Sequence, residues 1–153
     1  MLVHMWWMSN KMGLIRLLLL GLCMGYMNNM TRIIIAGSRN FIDYRKMVTK
    51  LDELGIHLLA TMDDIEIVSG HCSGADICGE KFAMKFHYPL KIFPAEWDKY
   101  GKAAGPIRNE QMAKYAAEAD RGILVAFPIG ESRGTRNMVE LAKQYGLEVD
   151  VIE

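Results

Sequence analysis

Three short glycine-bearing segments hold most of the residues that can do chemistry on a small anionic ligand. They are Gly37-Ser38-Arg39, Gly70-His71-Cys72-Ser73-Gly74-Ala75-Asp76 and Gly130-Glu131-Ser132-Arg133-Gly134-Thr135. Glycine lets a backbone approach a phosphate closely, and unpaired N–H groups at a helix start add donors and the positive end of a dipole. Ser38, Ser73 and Thr135 add hydroxyl donors, while Arg39 and Arg133 supply charge. Any one of these loops is explained as well by a tight strand-to-helix turn; three at one sheet edge point to a binding crevice. Arg108 falls in the first turn of a later helix, where its charge opposes the dipole. A ligand phosphate would compensate it, and so would an internal ion pair with Asp76, which opens its own helix with a favourable charge. Trp97 can stack on a base or cover the core. If the protein is an enzyme, Arg108, Glu96 and Glu131 are the catalytic candidates, either carboxylate serving as general base.

These residues need elements to hold them, and the apolar pattern supplies them. Ile33-Ile34-Ile35-Ala36 is apolar throughout, as a strand covered on both faces must be. Asp43 caps a helix with apolar positions Tyr44, Met47, Val48, Leu51 and Leu54, stopped by Gly55. Strands are predicted at 65–69, 90–93, 122–127 and 148–152. Helices are predicted over 75–87, with Cys78, Phe82 and Phe86 in one stripe, and from Gly105-Pro106 to about Glu118. Ala95 to Gly105 reads as a loop, and Thr135 is expected to cap a last helix ending at Gly146. Five strands alternating with four helices imply an α/β, Rossmann-like three-layer sandwich with a five-stranded parallel sheet, strand order 3-2-1-4-5. The loops after strands one and four then flank the crevice where such sheets bind ligands.

The totals narrow the function classes. Lysine plus arginine equals aspartate plus glutamate, 18 each. Lys11 and Arg16 lie before Met30 and no acidic residue does, so the remainder carries 16 basic against 18 acidic groups. Phosphate-backbone contacts along DNA or RNA call for a basic excess, so generic nucleic-acid binding is disfavoured. Cys23, Cys72 and Cys78 are too few and scattered for a disulfide framework or a zinc site, and reduced thiols fit a cytoplasmic protein. No metal-ligand cluster or resident cofactor is visible; magnesium would enter only on a ligand phosphate. Residues 1–29 form an apolar, methionine-rich extension, read as upstream of a working start at Met30, with a signal or membrane segment as alternatives. Residues 30–153 form the domain.

Four motifs in order carry a resemblance. Ile35-Ala36-Gly37-Ser38-Arg39-Asn40-Phe41 and Ser69-Gly70-x-x-x-Gly74-Ala75-Asp76 come first. Pro94-Ala95-x-Trp97 with Tyr100-Gly101-Lys102-Ala103-Ala104-Gly105-Pro106-Ile107-Arg108-Asn109-x-x-Met112 follows, and Ser132-Arg133-Gly134-Thr135 completes the set. Together they resemble the YspA-type (YpsA-related) branch of the SLOG (SMF/DprA-LOG) superfamily, over essentially 30–153. The resemblance implies a sheet that binds nucleotides or nucleotide-derived small molecules, with Gly37, Ser38, Arg39, Gly70, Ser73, Gly74, Asp76, Trp97, Arg108, Asn109, Arg133, Gly134 and Thr135 as ligand-binding positions. The superfamily's LOG enzymes cleave a base from a nucleoside monophosphate with the glutamate of Pro-Gly-Gly-x-Gly-Thr-x-x-Glu. Here that position is Met138, and Glu140 lies on a different helix face. Arg108-Asn109-Glu110-Gln111-Met112 echoes the LOG element Arg-Lys-x-x-Met.

The expected function is binding or sensing of a phosphate-bearing nucleotide derivative. The alternatives are a hydrolase of an N-glycosidic or phosphoester bond in such a ligand, and single-stranded DNA binding like DNA-processing protein A. A carboxylate among Glu96, Glu131 and Glu140 facing the loop glycines and Arg108 would favour catalysis. A membrane partner is implied only if residues 1–29 are a real segment. Ile77 and Tyr145 can line a homo-oligomer face, although core packing explains them as well.

Overall fold

The computed structural model describes residues 29–60 and 64–153. The expectations for the N-terminal extension fall on residues outside the described ones. Among the described residues, no helix is long and apolar enough to cross a membrane.

Strand β1 (Met30–Gly37) is the centre of a five-stranded sheet ordered β3-β2-β1-β4-β5, where β2 is Asp64–Ser69, β3 Leu90–Ile92, β4 Arg121–Phe127 and β5 Glu148–Val151. All four pairings are parallel, with Ile33 opposite both Ile67 and Ile123. Successive strand side chains point to opposite faces, so the unbroken apolar run of β1 feeds two cores. Ile33 and Ile35 join Met47, Leu51 and Phe82 from helices α1 (Tyr44–Glu53) and α3 (Ala75–Phe86). Ile34 and Ala36 join Met112, Ala113, Met138 and Ala142 from α5 (Ala104–Ala117) and α6 (Arg133–Gln144). Helices on both faces are what make an all-apolar central strand stable.

Helix α1 starts where the sequence puts it, since Asp43 Oδ1 accepts the Lys46 N–H at 2.8 Å, and Gly55 (φ 73°) follows its end. Three local expectations change. A four-residue helix, α2 (Ile56–Leu59), intervenes before β2. The predicted loop 95–105 instead folds as helix α4 (Trp97–Tyr100) and a 3-10 turn (Gly101–Ala103) running into α5. The cap of α6 is Ser132, not Thr135: the Ser132 side chain accepts the Thr135 N–H, and the helix begins three residues earlier than expected. Serine and threonine are both capping residues, serine the better of the two, and Ser132 also stands where its oxygen reaches the N–H of the first turn.

Candidate functional site

The chain leaves β3 at one edge and returns to place β4 beside β1, so the loops after β1 and β4 diverge. Between them lies a cavity of about 510 Å³, within the size range of small-ligand sites.

The β1 loop contributes Gly37, Ser38, Arg39 and Asn40 to its wall. A Cβ on Gly37 would overlap the Phe127 carbonyl oxygen and sit 2.8 Å from the Ala75 Cβ, so this glycine serves the crossing of β1, β4 and α3. The Ser38 hydroxyl accepts the Ile129 N–H at 2.7 Å and donates to the Ile129 carbonyl at 3.3 Å. It ties the two loops together. Arg39 is exposed.

From the β2 loop, Cys72 and Asp76 line the cavity, and Ser73 lines an adjoining one of about 330 Å³. Gly70 and Gly74 line neither. Gly74 (φ 89°) holds the loop so close to β1 that a Cβ would overlap the Ser38 carbonyl oxygen. Beside Gly70 the space a side chain would take is filled by the Arg108 guanidinium, which donates to the Gly70 carbonyl.

Arg108 is the fifth residue of α5 and 8% exposed. Its Nε donates to Asn109 Oδ1 at 3.0 Å, its Nη2 contacts Cys72 Sγ at 3.4 Å, and its Nη1 lies 3.6 Å from Asp76 Oδ2. Asn109 Nδ2 donates to the Gly134 carbonyl (3.2 Å) and to Asn137 Oδ1 (3.0 Å). Together the two residues fasten the β2 loop and the first turns of α6 to α5, and both line the cavity.

Asp76 is 4% exposed, and its carboxyl is raised to about 6. Burial is the main cause; Arg108 and backbone hydrogen bonds from Cys72 and Gly70 pull the other way, and Glu80, one turn along α3, adds to the rise. Glu80 is itself buried, accepting the Ser69 hydroxyl at 2.7 Å and facing His71 Nδ1 at 3.0 Å.

The β4 loop brings Glu131, Ser132, Arg133, Gly134 and Thr135 to the wall. Thr135 donates its hydroxyl to Ser132 Oγ at 2.8 Å, so both hydroxyls are engaged in the cap. The N–H groups of Arg133 and Gly134, in the first turn of α6, have no intrahelical carbonyl to reach. A Cβ on Gly134 would meet nothing within 4 Å. This glycine, unlike Gly37 and Gly74, borders open space.

Trp97 in α4 is 47% exposed and lines both cavities, so it does not serve as a core residue. Glu96 is exposed, lies outside both cavities and is 3.9 Å from Lys99. Glu140 is exposed and outside them as well; Glu131, also exposed, lines the main cavity. Met138, 1% exposed, occupies the wall. Among the described residues, no group of three or more His, Cys, Asp or Glu side chains is placed to hold a metal ion.

Lys102, Asn40 and Asn137 also line the cavity and were not singled out from the sequence. Lys102 belongs to the Tyr100–Asn109 motif, in which residue type alone gives it no role. Asn137 had a signal in its i, i+4 relation to Arg133, which puts both on one helix face.

Residues 31–100, from β1 through α4, match the family described as YspA, cpYpsA-related SLOG. The chain is 31% identical over 125 residues to the Gene 61 protein of Mycobacterium phage D29, covering 78% of this chain and 94% of that protein. No solved structure matches it.

Proposed function

The chain belongs to the YspA, cpYpsA-related SLOG family, and on that premise we propose that it binds a phosphate-bearing, nucleotide-derived small molecule at the strand carboxyl edge, as a binding or sensing module. Family membership supports nucleotide-related binding or processing. One observation carries the reading further: the N-terminus of α6, with Arg133 and the unencumbered Gly134, opens into a cavity that Arg39 and Lys102 also line. Partial positive charge at the helix start, two free N–H donors and three exposed cations are what a phosphate needs. Met138 weighs against LOG-like cleavage, since a buried thioether at the place of the glutamate carries no proton.

A second reading, hydrolysis of the bound ligand, is favoured by Asp76, with Glu131 a second carboxylate lining the same cavity. The Asp76 carboxyl lies on the cavity wall and titrates close to neutrality, as a general acid or base does.

Thermal-shift measurements on the full chain with nucleoside monophosphates, NAD and ADP-ribose test both. A compound at ~100 times its Kd adds about 2.7 kcal/mol. The shift is expected to vanish in Gly134→Val, which adds bulk to a cavity-lining position where an added Cβ meets nothing within 4 Å. Chromatography of the bound compound separates sensor from hydrolase. No shift with any compound, or an equal shift in the variant, overturns the proposal.

A further inference from the structure

The main cavity does not end at its floor. It shares Arg39, Cys72 and Trp97 with the adjoining cavity of about 330 Å³, whose remaining wall is Ser73. The two cavities therefore adjoin at these three side chains, the main one reaching the N-terminus of α6 and both bordered by Arg39 and the Trp97 indole.

Two features make this arm a place for a flat ring. Trp97 sits on a four-residue helix with no buried residue, and nearly half of its surface meets solvent. An indole left this open costs hydrophobic stabilisation that a core position would have gained. One edge of the ring lies over Gly105, where an added Cβ would sit 3.4 Å from Cη2, so α5 supports the indole from one side. The Arg39 guanidinium stands 5.9 Å from the ring centroid, at the limit of cation–π range. A planar aromatic group against the indole, beside Arg39, would gain stacking with both. The arm brings no carboxylate of its own, since its walls are Arg39, Cys72, Ser73 and Trp97.

We infer that the ligand is base-bearing and two-lobed: its phosphate sits at the start of α6, and its nucleobase stacks on Trp97 beside Arg39. This rests on the phosphate-site reading above and deepens it, because it excludes sugar phosphates without a base as the preferred ligands. Ribose spans the stretch between the lobes, where Cys72 borders both cavities and Asp76 lines the main one.

The test compares ribose 5-phosphate with the 5′-monophosphates of adenosine, guanosine, cytidine and uridine by isothermal titration calorimetry on the full chain. At least one nucleotide is expected to bind tenfold or more better than ribose 5-phosphate, the order of one base–aromatic stack. Trp97→Ala removes that advantage and leaves ribose 5-phosphate affinity within about twofold. Trp97→Phe, which keeps a ring, retains most of it. Far-UV circular dichroism and the melting temperature of each variant establish that the fold is intact. If ribose 5-phosphate binds as well as all four nucleotides, or Trp97→Ala weakens every ligand equally, the two-lobed inference falls while the phosphate site stands. If none of the five compounds binds, the two-lobed inference falls, and the phosphate site falls with it when NAD and ADP-ribose also give no thermal shift.

Discussion

Replacing Asp76 by asparagine keeps the size and shape of the side chain and removes only its ability to ionise. Its carboxyl is raised from 3.8 to about 6, with burial the main cause and Arg108 insufficient to reverse it. A gap of about two pKa units is on the order of 3 kcal/mol. The folded state thus holds the proton more tightly than the unfolded chain. The contribution of Asp76 to stability is therefore greatest near pH 4, falls as pH rises to about 6, and is level above that. Asparagine stands in for the protonated carboxyl at every pH. Removing one partner of a buried ion pair often costs roughly 3–5 kcal/mol because the other charge is stranded. Here Arg108 keeps the Gly70 carbonyl and Asn109 Oδ1 as acceptors, and an amide oxygen can still take the Cys72 N–H. The relief of burial is expected to win. Asp76→Asn should be more stable than wild type by roughly 1–3 kcal/mol at pH 7, the difference closing towards pH 4. Urea unfolding at half-unit steps from pH 4 to 7.5 reads it, and the difference between the proteins cancels every other titrating group. A difference that stays flat with pH, or a variant less stable at pH 7, would refute the claim that burial outweighs Arg108.

Three further outcomes are expected. Gly37→Ala forces a Cβ onto the Phe127 carbonyl and against Ala75, and urea unfolding should show a loss of about 3 kcal/mol, the upper end for overpacking. Phe82→Ala empties a fully buried site where the ring packs 4.9 Å from Phe86 and 5.6 Å from His57, centroid to centroid; a loss of about 3–5 kcal/mol in the same assay is the expected cost. Ser132→Ala removes the acceptor for the Thr135 N–H and hydroxyl, which should cost about 1 kcal/mol in thermal or urea unfolding. The same change loosens the first turn of α6, so calorimetry should find a weaker phosphate site.

The strand order and the two-sided core were legible because they depend on patterns that few other arrangements satisfy. Ile33-Ile34-Ile35 has no polar face, so only a strand with helices on both sides can hold it. Strands separated by single helices leave parallel pairing as the economical topology. Local chemistry was less legible. The stretch 95–105 lacks helical periodicity, and a four-residue helix such as α4 is not stable by propensity alone. It forms where Trp97 meets Gly105 of α5. Residue type ranks serine above threonine but did not by itself place the cap of α6 at Ser132 rather than Thr135.

The sequence by itself determined which residue types would gather at the carboxyl edge, since glycine loops following apolar strands must all emerge there. Only the tertiary structure divided them by task. Gly37 and Gly74 are consumed by crossings of backbone, whereas Gly134 faces open space. Ser38 and Thr135 donate their hydroxyls to protein atoms, and Arg108 has an acceptor in Gly70, 38 positions away. Asp76 titrates near 6 because α3, α5 and the β2 loop close around it. Periodicity follows from neighbours along the chain, and a sequence displays those. Hydrogen-bond satisfaction and desolvation depend on neighbours in space, and these exist only once the sheet has brought its loops together.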